Sequence, residues 1–137
     1  MNLRPFQIVL TVSDLDRSVK FYSQFGFRTG KFVQKEDGRT RITLIPEGVS
    51  DFELKLFSNP SAKSLPSSSN TQEYLKETGT KYMSLLVDDV DLFYAGYKEK
   101  INFLAQPKDG MTGCRYVFFR DPDNILVEVY QKPISNN

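Results

Sequence analysis

The chain has 137 residues, 39% of them hydrophobic, and a formal net charge of +1. This length suits one domain or two small modules sharing a core, and the balanced charge gives no electrostatic reason to expect a nucleic acid or a membrane as partner. The sequence contains no histidine, which removes the commonest transition-metal ligand and the commonest general base. The single cysteine, Cys114, cannot form an internal disulfide, so we expect a cytoplasmic protein.

A first module, residues 4–58, is predicted to have the order strand, helix and three strands. Alternating apolar residues predict a strand over Phe6–Val12, and helical spacing follows Ser13 and Asp14, either of which is a suitable N-cap. Gly26 suits the end of this helix, because glycine accepts a left-handed backbone. The later strands, separated by the turns KEDGR and PEGVS, are predicted at 27–34, 39–45 and 51–57.

A Ser- and Pro-rich segment, 59–79, is predicted to be an exposed linker with a short helix at TQEYLKET. The second module, 80–132, is predicted to repeat the element order of the first. Its elements are predicted at 81–87, 90–100 (the helix), 101–105, 115–119 and 125–131. Asn124 is expected in a left-handed turn position, which asparagine tolerates better than most residues.

The two modules match at a constant offset of 75 residues, the difference between 128 and 53. With this offset Tyr82 falls on Gln7, and Glu128 falls on Glu53. A repeated unit of this kind indicates a duplicated supersecondary motif. The predicted fold is therefore α+β: two tandem βαβββ modules form a curved mixed β-sheet in one domain, with helices on the outer face and a concave ligand trough on the other.

Side chains of a strand alternate between the two faces of its sheet. The apolar alternate positions are predicted to pack under the helices, which leaves a mixed polar and aromatic set on the open face. These residues are Gln7, Glu53, Lys55, Phe57, Tyr82, Glu128 and Tyr130. A trough with such a lining is a candidate small-molecule site. The alternative interpretation is the ordinary solvated side of an antiparallel sheet.

Two segments, LTVSDLDRSVKFYSQFGF and FFRDPDNILVEVYQ, resemble the opening and closing motifs of the vicinal oxygen chelate superfamily. This group includes glyoxalase I, bleomycin-resistance proteins, fosfomycin-resistance enzymes and extradiol dioxygenases. The resemblance implies that four positions, Gln7, Glu53, Tyr82 and Glu128, match those that bind a divalent ion in metal-using members. One type of glyoxalase I has Gln, Glu, His and Glu in this order, so Tyr82 stands in the place of histidine.

That departure changes the expected metal chemistry. Two carboxylates, an amide oxygen and a phenol form an all-oxygen set, which favours Mg, Ca or Mn over Zn or Ni, and a phenol is a poor ligand at neutral pH. We expect no cofactor and no metal; if a divalent ion (Mg, Mn, Ni or Zn) binds, the resemblance implies Gln7, Glu53 and Glu128 as its ligands. Without an ion, Lys55 is expected to offset part of the charge of the two glutamates.

Two function classes follow from the resemblance. The first is a small-molecule-binding protein of the bleomycin-resistance kind, in which Gln7, Lys55, Phe57, Tyr82 and Tyr130 contact the ligand. The second is a lyase or isomerase of the glyoxalase or epimerase kind, in which Glu128 or Glu53 is the general base next to a carbonyl. A third class, a domain whose open face contacts a partner protein, has no specific support in the sequence. The open sheet edges of a lone module predict a homodimer.

Overall fold

The computed structural model describes residues 1–59, 61–66 and 71–134, and the chain forms two compact units, 1–64 and 65–137. Pro60 and residues 67–70 of the predicted linker, and residues 135–137 after the second module, lie outside the described residues. Within the described ranges, no helix is long and apolar enough to cross a membrane.

Unit one has the predicted order of elements. They are β1 (Gln7–Val12), α1 (Leu15–Ser23), β2 (Phe27–Gln34), β3 (Thr40–Pro46) and β4 (Glu53–Ser58). Asp14 caps α1, because its side chain accepts a hydrogen bond of 3.0 Å from the backbone N–H of Arg17. Gly26 has φ 88° just after this helix, so the predicted left-handed end is confirmed.

The sheet of unit one has the strand order β1-β4-β3-β2. β1 pairs with β4 in parallel, and the other two pairs are antiparallel. The alternate residues Leu54 and Leu56 of β4 are fully buried, together with Leu44 of β3 and Tyr22 of α1. α1 therefore covers one face of this sheet, and Gln7 and Glu53, on the alternate positions, belong to the open face.

Unit two repeats this arrangement with shorter peripheral strands. Its elements are α2 (Thr71–Lys76), β5 (Met83–Leu86), α3 (Val90–Tyr97), β6 (Asn102–Phe103), β7 (Lys108–Asp109), β8 (Arg115–Arg120) and β9 (Leu126–Gln131). The strand order is β5-β9-β8-β6, and β7 also pairs with β8. The sequence did not predict β7, because two residues are too few to show an alternating pattern.

Two polar clusters fix the connections of unit two. Arg115 at the start of β8 donates two hydrogen bonds to Asp91 in the first turn of α3, at 2.7 and 2.9 Å, and a third to Asp109 of β7 at 2.9 Å. Asn124 has φ 65°, which confirms the predicted left-handed turn before β9. The side-chain amide of Asn124 donates to the carbonyl of Leu65, which ties the start of this unit to the turn.

The two βαβββ modules and the α+β class are thus confirmed. The described strands pair as two sheets, one in each module, where the sequence predicted one, and each sheet has one parallel and several antiparallel pairs. In both sheets the first strand pairs with the last, so residues far apart in the sequence become neighbours. This pairing positions the candidate site residues.

Candidate ligand-binding faces

On the open face of unit one, Gln7 and Glu53 form a direct pair. They lie opposite each other in the parallel register of β1 and β4, and Gln7 Nε2 donates a hydrogen bond to Glu53 Oε1. Both side chains are half-buried. The two positions that the sequence predicted on this sheet are therefore together, and the carboxylate already has a neutral donor.

Lys55 and Phe57 continue the same face along β4. Lys55 lies between Val9 of β1 and Thr43 of β3, and Phe57 lies between Thr11 and Arg41. Lys55 is half-buried, and among the described residues it forms no ion pair. The Gln7 amide, rather than the predicted Lys55 ammonium, makes the direct contact with the Glu53 carboxylate.

On the open face of unit two, the partner of Glu128 is Ser84. The two residues lie opposite each other in the parallel register of β5 and β9, and Ser84 Oγ donates a 2.7 Å hydrogen bond to Glu128 Oε1. Ser84 therefore takes the place that Gln7 has opposite Glu53. The glutamates are 75 residues apart, but their partners, 7 and 84, are 77 apart, so the pairing of the two strands is shifted by two residues.

Tyr82 lies two residues before Ser84, so its side chain is on the same open face as that of Ser84. Its ring contacts Phe118 edge to face, with centroids 5.0 Å apart, and Phe118 contacts Tyr116 at 5.8 Å. Phe118 is directly opposite Glu128 on β8, and Tyr82 is 39% exposed. Sequence reasoning missed Phe118 and Tyr116, although their alternation along RYVFFR places both on this face.

The chemistry of Tyr82 follows from this setting. Burial against its neighbours raises the pKa of the phenol above its usual 10.0, and the charges of Glu128 and Tyr116 raise it further. At neutral pH Tyr82 is therefore a protonated phenol. It provides an aromatic surface and a hydroxyl group, and it is a poor ligand for a cation.

Tyr130 lies opposite Tyr116 and completes this aromatic group. The pKa of the Tyr130 phenol is raised, and the main cause is a hydrogen bond to Cys114. Burial and the charges of Cys114 and Glu128 raise this pKa further, while a hydrogen bond to Thr112 lowers it. Cys114 itself is buried and lies directly before the start of β8. Tyr130 therefore also presents a neutral hydroxyl at pH 7.

The residues at the chelate positions do not fit a standard transition-metal site. The sequence supplies no histidine, Tyr82 holds its proton, and both glutamates accept hydrogen bonds at Oε1 from neighbours within their own sheets. In the part of the chain that the structure describes, no group of three or more Cys, Asp or Glu side chains could hold an ion. The donor set thus lacks the imidazole and thiolate ligands that are usual for Zn, Cu or Ni.

Comparison with known proteins identifies the family. A sequence model of the Glyoxalase/Bleomycin resistance protein/Dioxygenase superfamily matches residues 4–129. The chain belongs to this superfamily, which confirms the resemblance noted in the sequence. The protein YwkD of Bacillus subtilis (strain 168) is 26% identical over 129 residues, which cover 91% of this chain and 94% of YwkD.

Solved structures share the fold. A glyoxalase I variant from Zea mays matches 97% of this chain with a TM-score of 0.74 and 24% identity; the match covers 46% of the plant chain. TnmS3, an antibiotic binding protein from Streptomyces sp. CB03234, matches with a TM-score of 0.68 and 23% identity, over 95% of this chain and 96% of TnmS3. At these identities the matches establish architecture, and function has to be argued from the residues.

Proposed function

We propose that this protein binds a small, partly aromatic molecule and has no standard transition-metal site. The observation that carries the proposal is the state of the two glutamates at the chelate positions. Gln7 donates to Glu53, and Ser84 donates to Glu128, so each carboxylate has a neutral partner within its own sheet. A metal bound through either Oε1 atom would have to share that oxygen with the donor that already contacts it.

The aromatic residues of unit two support an organic ligand. Tyr82, Phe118 and Tyr116 form a chain of edge-to-face contacts, with Tyr130 opposite Tyr116. Aromatic side chains contribute large apolar contact areas and prefer stacked or edge-to-face neighbours, which a planar ligand supplies. The shared fold with TnmS3, an antibiotic binding protein, is consistent with this use.

A neutral fluorescent probe tests the proposal directly. The chain contains no tryptophan, so 1-naphthol fluorescence can be followed without an intrinsic indole signal. We expect saturable binding of 1-naphthol and a rise in the melting temperature with its concentration, because a ligand specific for the folded state stabilises it. Binding should weaken about tenfold in Tyr82→Leu and Phe118→Leu, since each substitution removes a ring from the surface.

The matched control is Leu92→Ala, which removes an exposed apolar side chain from α3. Its affinity for 1-naphthol should equal that of the wild type. Circular dichroism of each variant checks that the fold is kept. Equal losses of affinity in Leu92→Ala and Tyr82→Leu, or absence of saturable binding, would contradict the proposal.

A second candidate function, proton transfer by a glutamate, is favoured by one observation. Among the described residues, Oε2 of Glu53 and of Glu128 has no hydrogen-bond partner, while Oε1 of each is held in position. A carboxylate oriented in this way can take a proton from the carbon next to a ligand's carbonyl and return it to the neighbouring atom of the resulting enediolate. This would be a glyoxalase- or epimerase-like reaction.

Hydrogen exchange distinguishes the two candidates. With the hemithioacetal of methylglyoxal and glutathione as probe in D2O, a general base would produce deuterium incorporation or isomerisation, followed by NMR. Glu128→Gln or Glu53→Gln should abolish it, because the amide cannot accept the proton at neutral pH. Glu99→Gln, an exposed site next to α3, is the control. Absence of exchange in the wild type would eliminate this candidate for this substrate class.

We also propose a cytoplasmic homodimer. Its support is the terminal strand β2 of unit one, whose outer edge offers unpaired backbone groups for pairing with another chain. Sedimentation velocity at several protein concentrations tests the assembly, and a monomer at all of them would contradict it.

A further inference from the structure

A pocket of about 400 Å³ lies at the end of the unit-one sheet, beside Glu53. This volume falls within the range of about 300–1,000 Å³ that is usual for small-molecule sites. Charged and apolar side chains share the lining, which includes Phe6, Arg28, Ile45, Val49, Phe52 and Glu53. The sequence did not point to Arg28, because the family resemblance implies site positions only on the first and last strand of each module and Arg28 lies on β2.

The strand register explains how Arg28 reaches the open face. Arg28 of β2 lies opposite Ile45, and Thr29 lies opposite the buried Leu44, so Arg28 points to the side away from α1. Phe6 is held beside Glu53, because the Glu53 backbone N–H donates a 3.1 Å hydrogen bond to the Phe6 carbonyl. One end of the sheet thus brings together a guanidinium, a carboxylate and aromatic rings.

The charge of this face is predominantly positive. Arg28, Arg41 and Lys55 all lie on it, since Arg41 pairs with Phe57 and Lys55 follows Glu53 by two residues. Within the described ranges, none of the three cations forms an ion pair. Glu53 is the one carboxylate that the described strands of this unit place on the face. A face with unpaired cations attracts an anionic ligand and raises its association rate.

Resting on the proposed small-molecule function, we propose that this pocket binds an organic carboxylate. The Arg28 guanidinium contacts the ligand's carboxylate, because its planar fork matches two carboxylate oxygens better than a lysine ammonium does. Glu53 accepts a hydrogen bond from a donor group of the ligand. Phe6, Val49 and Phe52 contact its apolar body.

Matched carboxylates and primary amides provide the test. The probes are benzoate with benzamide, phenylacetate with phenylacetamide, and hippurate with hippuramide, each titrated to about 10 mM while the backbone amide NMR signals are followed. We expect each carboxylate to bind at least about tenfold more tightly than its amide, with the largest shifts at Arg28 and Glu53. The preference should diminish with added salt, because an exposed ion pair is screened.

Variants assign the preference to Arg28. Arg28→Gln should lose the preference for the carboxylate, and Arg28→Lys should keep only part of it, because the charge stays and the fork is lost. Arg17→Gln is the matched control, since Arg17 lies on α1, on the covered side of the sheet. The contribution of Glu53 is tested with O-benzoylglycolate, the ester counterpart of hippurate. Wild-type protein should prefer the amide N–H of hippurate, and Glu53→Leu should not.

The outcomes separate this inference from the proposed function. If carboxylates and amides bind equally well, or if Arg28→Gln behaves like Arg17→Gln, the carboxylate site is wrong, while 1-naphthol binding can still stand. If no carboxylate shifts the signals of the pocket at about 10 mM, the inference is also overturned. Loss of 1-naphthol binding together with all the carboxylates would remove the proposed function as well.

Discussion

Ser84 and Glu128 lie opposite each other on two parallel strands, and the serine hydroxyl donates a 2.7 Å hydrogen bond to the glutamate. Gln7 and Glu53 form the same kind of pair in the other unit. Both units therefore have a glutamate with a neutral hydrogen-bond donor. The donor is an amide in unit one and a hydroxyl in unit two. Three of the four positions that the family resemblance assigns to a metal, Gln7, Glu53 and Glu128, are therefore held in two hydrogen-bonded pairs. Ser84 is the fourth member of these pairs.

The first prediction concerns the strength of these pairs. Double-mutant cycles with Ser84→Ala and Glu128→Ala, and with Gln7→Ala and Glu53→Ala, should each give a coupling energy of about 0.5–1.5 kcal/mol in urea unfolding. The Ser84 pair should be at the lower end, because Ser84 is more exposed than Gln7. A coupling energy of zero in both cycles would contradict the role given to the donors.

The second prediction concerns the pKa of Tyr82. Glu128→Gln should lower this pKa without restoring the ordinary value of 10.0, because burial is the larger cause of the increase and the Glu128 charge is the second. Ultraviolet difference titration against Tyr82→Phe isolates the phenol. Glu99→Gln should leave it unchanged, and an equal effect of both glutamine variants would refute the assignment.

The same shift predicts the behaviour of the protein at alkaline pH. The folded-state pKa of Tyr82 is raised, so its contribution to stability is fully present below the unfolded-state pKa of about 10 and is lost as pH rises through the folded-state value. Urea unfolding above pH 9 or so should therefore show a less steep loss of stability in Tyr82→Phe than in the wild type. A parallel loss in the two proteins would be the contrary result.

The third prediction concerns Arg115, whose pKa is raised chiefly by its hydrogen bonds to Asp91 and Asp109. Arg115→Lys should lower the melting temperature, because an ammonium cannot reproduce the two-point contact with Asp91. Arg39→Lys, which alters an exposed pair within one turn, is the control and should have a smaller effect. The difference between the variants should decrease as salt is added.

The fourth prediction concerns metals. Protein purified without a chelator or an affinity metal should contain no stoichiometric ion, and Mg, Mn, Ni or Zn added singly should leave the melting temperature unchanged. An ion that binds the folded state must raise this temperature by mass action. A rise with Mn, Ni or Zn that disappears in Glu53→Gln or Glu128→Gln would show a working chelate site and would overturn the proposal that the protein has no standard transition-metal site.

The local pattern of the sequence predicted most of the elements for a clear physical reason. Alternation and helical spacing are properties of short segments, so β2 is found at its predicted bounds, α1 has its predicted cap Asp14, and α3 begins at the predicted Val90. The same alternation correctly assigned Leu54 and Leu56 to the covered face. Faces could be predicted because a residue's parity does not depend on which strand is its neighbour.

Cross-strand neighbours could not be predicted in this way. An offset of 75 residues equates Gln7 with Tyr82, but the hydrogen bonds between β5 and β9 place Ser84 opposite Glu128. When the pairing of two strands shifts by two residues, every side chain stays on its face but has a different cross-strand partner. The alternating pattern therefore does not reveal such a shift. Alternation alone assigns Phe118 to the open face, but its position opposite Glu128, like that of Arg28 near Glu53, depends on the order of strands in each sheet.

The pairing of first with last strands also has a consequence for how the chain is made. Gln7 and Glu53 are separated by 46 positions, and Ser84 and Glu128 by 44. During synthesis β1 therefore waits without its partner until β4 has left the ribosome, and β5 waits in the same way for β9. Each wait exposes an apolar strand edge to other nascent chains, and closing such long loops slows folding. Aggregation during expression should therefore be most sensitive to substitutions that weaken β4 or β9, the last strand to arrive in each unit.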